Sequence, residues 1–163
     1  MADVAYPEAI RELYESEIFG EAWALALIAV AKNDRDRYHF DTLLQLETET
    51  KARLRPFLYK YGMTLLEDMD LSDVDDAVAD YQNSATFAEF ATITKPTVEA
   101  FLDRFQEIDL AAPPEDREVT KSMIQHETAI LTWLELESTG PNAASLEAMI
   151  AELQYPLPEP GGV

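Results

Sequence analysis

Four long stretches of this chain carry apolar residues at three- and four-residue spacing, and the links between them are unequal in length. Together these facts restrict the fold more than anything else in the sequence. The first stretch runs from about Pro7 to Lys32, with proline in the first turn, where a missing N–H costs nothing. Its stripe is Ile10, Leu13, Tyr14, Glu17, Glu21, Ala24, Leu25 and Ile28, while Phe19, Trp23 and Val30 form a second apolar face opposite. A helix apolar on both faces is covered on both. The second face therefore calls for the chain's own C-terminus or for a second copy in a homodimer. The second stretch, about Arg37 to Tyr61, stops at Gly62 and carries Phe40, Leu43, Leu44, Glu47, Thr50, Leu54 and Leu58, with a kink expected at Pro56. The third, about Ser84 to Ile108, carries Phe87, Phe90, Ala91, Thr94, Val98, Phe101 and Phe105, with a bend expected from Pro96. The fourth, about Pro114 to Ser138, ends at Gly140-Pro141 and carries Val119, Met123, His126, Ile130, Trp133 and Leu134. A short fifth helix is expected over Ala144–Leu153, and no period-2 alternation competes for a strand.

The links set the topology. A few residues near NDRD join the first two helices and LAAPP joins the last two long ones, so each pair forms an antiparallel hairpin. Between the hairpins lie roughly twenty residues, Gly62 to Asn83, far more than a simple up-and-down bundle needs. The expectation is an all-α, single-domain four-helix bundle with one long crossover, spanning residues 1–155, followed by a Pro/Gly-rich tail over 156–163. The crossover contains DMDLSDVDDAVAD, which is not a calcium loop. Counting from Asp68, Asp73 stands where glycine is required and Ala79 where glutamate is required. A short, capped, acidic helical turn beginning near Ser72 fits better.

Composition removes several classes of function. With no cysteine, disulfides, thiolate metal sites and cysteine nucleophiles are excluded. Twelve Lys and Arg stand against 32 Asp and Glu, for a formal net charge of -20, a field that repels nucleic acid and anionic membrane surfaces and attracts cations. The N-terminal residues lack the basic and apolar regions of a signal peptide, and the run AWALALIAVA is about half the length that spans a bilayer. A cytoplasmic protein is the default. Phosphate-binding glycine loops, nucleophile elbows and zinc-protease histidine pairs are absent.

The chemistry lies in the polar residues on the apolar stripes. Glu17 and Glu21 interrupt the first, Glu47 the second and His126 the fourth. Buried charge is costly unless it is paired or bound to metal. Two carboxylates and one imidazole converging from three helices suit a single Fe, Mn or Zn ion. The competing expectation is a non-catalytic bundle in which these groups form a polar network, with Lys51, one turn after Glu47, standing in the metal's place. His39, near the start of the second helix, is expected at the surface, and Glu137, near a helix end, within reach of solvent. Met123 and Trp133 are expected to pack.

The segments YESEIFGEA (14–22), LLQLETETKARL (43–54) and IQHETA (124–129), with the long crossover, resemble the ferritin-like superfamily, its rubrerythrin-like branch in particular. The resemblance covers about Pro7 to Ser138. In that family, helix-borne glutamates and Glu-x-x-His pairs hold two metals. The resemblance implies that Glu17 or Glu21 corresponds to the first-helix ligand, Glu47 to the glutamate of the first pair and His126 to the histidine of the second. Thr50, Thr94 and Met123 stand where further ligands would be. A reduced or vestigial metal site is implied and, for an enzyme, a metal-dependent oxidase or peroxidase.

Overall fold

The computed structural model describes residues 5–161, and every regular element among them is helical. Residues 1–4 and 162–163 of the expected domain and tail lie outside the described residues. The helices are α1 (Tyr6–Val30), α2 (Asp34–Lys60), α3 (Asp73–Asn83), α4 (Phe87–Ala111), α5 (Arg117–Glu137) and α6 (Glu147–Glu152), with a 3-10 turn at Pro114–Asp116 before α5. No helix among the described residues is long and apolar enough to cross a membrane.

Local chemistry sets the boundaries. Asn33 caps α2 by accepting the Asp36 N–H at 2.9 Å, so α2 begins three residues before the apolar pattern does. Its end is a Schellman turn: Met63 N–H donates to Leu58 O at 2.9 Å and Gly62 N–H to Tyr59 O at 3.1 Å, with Gly62 at φ 69°. Thr86 caps α4 by accepting the Glu89 N–H, and the Glu89 carboxylate reaches back to the Ala85 N–H at 2.7 Å. That is a capping box displaced by one residue, and it starts α4 at Phe87 rather than Ser84. Pro56 and Pro96 both lie inside continuous helices.

α1 packs against α2 and α4 against α5, as the short links require, and the two hairpins meet along α2–α5 and α1–α4. The crossover departs from expectation. The helical turn expected near Ser72 is longer than a turn, the 11-residue helix α3, which lies along α1 and α4, and the Ser72 side chain does not cap it. Val74, Val78 and Tyr81 of α3 bury against Trp23 and Phe90. On the second apolar face of α1, Trp23 is therefore covered by α3 rather than by the C-terminus, while Phe19 and Val30 stay partly exposed. The C-terminal segment docks elsewhere: α6 packs on α5 and α2, and the Gln154 and Tyr155 N–H groups donate to Glu49 at 2.7 and 2.9 Å.

The apolar core comes in two parts. One holds Ala24, Leu27, Phe40, Leu43, Leu46, Phe90, Ile130 and Trp133; the other holds Ile10, Leu13, Tyr14, Leu54, Leu58, Phe105, Val119 and Met123. On α1, α2 and α5 the break between them falls at Glu17 and Gly20, at Glu47 and Thr50, and at His126 and Glu127.

Tyr81 fastens α3. Its hydroxyl donates to buried Asp36 at 2.6 Å and accepts the Lys32 N–H at 2.9 Å. Tyr81→Phe leaves both partners without it, which costs about 2 kcal/mol. Thermal unfolding followed by circular dichroism is expected to show a Tm lower by roughly 4–8 °C for a chain of this size.

Candidate metal centre

Glu17, Glu47 and His126 reach one point from α1, α2 and α5, each offering a ligand atom within 4.8 Å of the others. All three are buried, at 1, 4 and 1 % exposure. His126 Nε2 stands 3.3 Å from Glu17 Oε2, 3.5 Å from Glu47 Oε2 and 3.9 Å from Glu127 Oε2. These separations are longer than good N–H···O hydrogen bonds. They approach the roughly 3.3 Å that separates two ligands on a tetrahedral ion with bonds near 2.0–2.1 Å. Glu17 Oε2 has no hydrogen-bond partner at all.

The imidazole is oriented from behind. His126 Nδ1 lies 3.1 Å from Thr50 Oγ1, itself fully buried. A hydroxyl can donate to Nδ1 or accept from it; in the tautomer that frees Nε2 for a metal, Nδ1–H donates to Thr50. Thr50, at the position where the resembling family has a ligand, thus holds the histidine instead.

Space for Glu47 comes from Gly20. A Cβ at Gly20 would lie 2.5 Å from Glu47 Cδ and Oε2 and 2.8 Å from Oε1, so the carboxylate sits where any other side chain would begin. Glycine in a helix interior is about 1 kcal/mol less favourable than alanine, and here the close approach of a carboxylate is what it permits.

The electrostatics are one-sided. Among the described residues no lysine or arginine forms an ion pair with Glu17, Glu47 or Glu127. Desolvation, followed by repulsion from Glu47 and then from Glu127, holds the Glu17 carboxyl well above the usual glutamate range. Burial and then Glu47 do the same to Glu127. Three carboxylates around one imidazole are a site short of positive charge. Comparison with known protein families, characterised proteins and solved structures finds no match. The chemistry therefore stands on the geometry alone.

Of the residues named from sequence, the fold gathers Glu17, Glu47 and His126 and leaves Glu21 outside. Glu21, one turn on from Glu17, ion-pairs with Lys51 and accepts from Thr48 Oγ1 at 3.1 Å. Lys51 does not enter the cluster; its other partner is Glu67, at 2.8 Å. Thr94 lines the adjoining cavity and Met123 is buried in the apolar core, so neither is replaced by an unexpected ligand. Glu127 was missed because α5 buries more than one stripe. Thr120, Glu127 and Leu134, seven residues apart, form a second buried row that the sequence displays.

Two expectations outside the cluster are corrected. His39 is buried, not exposed: its Nδ1 accepts the Trp133 indole N–H at 2.9 Å, and burial followed by the nearby Arg35 charge lowers its pKa to about 4. Glu137 is wholly buried at the end of α5, held by Arg35 at 2.6 Å and Ser145 at 2.5 Å, because the segment before α6 folds over it.

Two outcomes follow. Gly20→Ala is expected to destabilise the protein despite alanine's helix preference, because its Cβ collides with Glu47. In a Glu47→Ala background the same change is expected to stabilise by about 1 kcal/mol. A double-mutant cycle from urea unfolding checks the reversal of sign.

The second concerns pH. Above 4.5, the ordinary glutamate value, the unfolded chain has released these protons while folded Glu17 and Glu127 keep theirs. The metal-free protein therefore loses stability as pH rises from that value toward the raised folded values, and the loss is complete above them. Glu17→Gln is expected to flatten this slope and to raise the metal-free Tm at pH 8; melting curves from pH 4.5 to 8 of both proteins compare it directly.

Proposed function

We propose that this is a ferritin-like helical protein with a reduced metal site, which holds one divalent Fe, Mn or Zn ion on Glu17, Glu47 and His126 with the Glu127 carboxylate alongside. The observation that carries this reading is the buried cluster itself: three carboxylates and one imidazole, ligand atoms of Glu17, Glu47 and His126 within 4.8 Å of one another, and, among the described residues, no ammonium or guanidinium paired with the acids. Oxygen and imidazole donors suit these ions. Three protein donors leave coordination positions open, as in catalytic rather than closed structural sites. When bound, the ion would supply Lewis-acid or redox chemistry, the latter if it is Fe or Mn. The chain's own part is to hold the imidazole through Thr50, to seat Glu47 against Gly20 and to keep the donors away from bulk water.

Support for the ferritin-like part comes from two helical hairpins joined by a long crossover, with donors on three facing helices. A purely structural network in which Lys51 replaces the metal is disfavoured, since Lys51 is engaged by Glu21 and Glu67.

The test is metal analysis of protein refolded without metal and then supplied with Fe(II) under anaerobic conditions, Mn(II) or Zn(II). At least one of the three is expected to bind at about one ion per chain and to raise the Tm. His126→Ala and Glu47→Ala are expected to weaken binding by at least about 100-fold, and Glu21→Gln by less than about twofold. Absence of stoichiometric metal with all three ions overturns the proposal.

A further inference from the structure

Beside the acid cluster lies a chamber of about 100 Å³, between α1, α3, α4 and α5. Glu17, Glu47 and Glu127 form its polar wall, while Phe19, Trp23, Val98, Phe101 and Ile130 form the apolar ones. It is not sealed. Ser16, Phe19, Ala77, Asp80, Thr97 and Phe101 line both this chamber and a wider groove of about 560 Å³ on its outer side. A path from the surface thus ends at the cluster.

Two residues that line the chamber each carry a buried polar atom with no hydrogen bond. The Trp23 indole N–H and Glu17 Oε2 are both buried and unpartnered, on residues 8 % and 1 % exposed. A buried donor and a buried acceptor left unbonded on residues lining one cavity are costly, and an occupant that satisfies them relieves that cost. We infer that the chamber is a binding site for a small uncharged alcohol, with its hydrocarbon part against Phe101, Val98 and Ile130 and its hydroxyl at the carboxylate wall.

The hydroxyl follows from the donor and acceptor inventory. It donates to a carboxylate, accepts from a carboxylic acid and accepts from an indole N–H, so it fits whichever proton state the wall holds. A carbonyl cannot serve a carboxylate, and an ammonium has no lone pair for the indole N–H. Anions are excluded by the wall and by Asp80 at the mouth, with no lysine or arginine among the residues lining either space. Size follows from volume. About 100 Å³ is less than the roughly 150 Å³ of a cavity that admits benzene, so a five-membered ring reaching toward the open mouth is near the upper limit. The inference goes beyond the metal reading and does not depend on it, since the orphaned atoms and the chamber are there without an ion.

Cyclopentanol is the probe. The chain has two tryptophans, so an amide-region spectrum of ¹⁵N-labelled protein shows two indole N–H signals, and Trp23→Phe assigns them. Titration of the metal-free protein is expected to shift the Trp23 signal saturably with a Kd on the order of 1 mM, leaving that of Trp133, already bonded to His39, in place. Thr97→Phe, at an exposed position on the mouth, is expected to weaken binding at least tenfold with metal affinity unchanged; Ala77→Leu narrows the same mouth from α3 and is expected to act likewise. No saturable shift, equal binding by both mouth variants, or cyclopentylammonium bound as tightly as cyclopentanol each overturns the inference. Failure of metal binding leaves this titration readable, and failure of the titration leaves the metal result standing.

Discussion

The molecule is organised around a shortage of positive charge. Three glutamates share one histidine in a layer that cuts the apolar core in two, and among the described residues no lysine or arginine pairs with them. Removing a carboxylate from water costs several kcal/mol even after relaxation, so this layer opposes folding unless protons or a cation neutralise it. Everything near it is arranged to tolerate the carboxylates rather than to remove them. Thr50 turns the imidazole, Gly20 withdraws its side chain, and the flanking rows of leucine and phenylalanine are interrupted on α1, α2 and α5 at the same level.

The rest of the chain shows that charge can be buried here in another way. Asp36 meets the Tyr81 hydroxyl, Asp116 meets Lys60 and Tyr61, and Glu137 meets Arg35 and Ser145, all at 2.5–2.6 Å. Even Lys51, itself buried, takes two carboxylates, Glu21 and Glu67. Each of these acids serves as a fastening between elements and meets a donor from another segment of the chain. Glu17, Glu47 and Glu127 are satisfied by nothing the chain supplies in sufficient charge, and they lie beside the chamber that opens outward. Among the described residues, structural acids and candidate ligands thus differ in whether a lysine, an arginine or a tyrosine hydroxyl reaches them.

What the sequence displayed was periodicity. The four long helices, the two hairpins and the inward faces of Glu17, Glu47 and His126 all follow from a three-and-four spacing that a single sequence carries. Three kinds of feature did not. The helix α3 is short and its solvent side is nearly all aspartate, so charge masked the apolar pair Val74 and Val78 that docks it. Glu127 stands next to the obvious stripe rather than on it, and one stripe per helix was too narrow for α5, which buries residues on adjacent rows. His39 and Glu137 looked exposed because they sit near helix ends, yet an end is exposed only if no other segment covers it. Here Trp133 and the residues preceding α6 do so, contacts nearly 100 and 8 residues away along the chain respectively.

Gly20 sharpens the choice between a site and a mere polar spacer. A layer needed only to fix helix register is served by hydroxyls and amides, which hydrogen-bond within ordinary packing and leave alanine free to occupy the α1 surface. A carboxylate pressed to within 2.5 Å of where a Cβ would stand gains no hydrogen bond from that closeness, since glycine offers it no side-chain donor. What closeness to α1 does provide is convergence: it brings Glu47 Oε2 to 3.5 Å from an imidazole nitrogen that Glu17 already approaches from α1. Two acids set edge to edge around one nitrogen repel each other in a low-dielectric interior. That repulsion turns into attraction when a shared proton or a cation stands between them, and the glycine that allows the approach costs helix stability in every state of the protein.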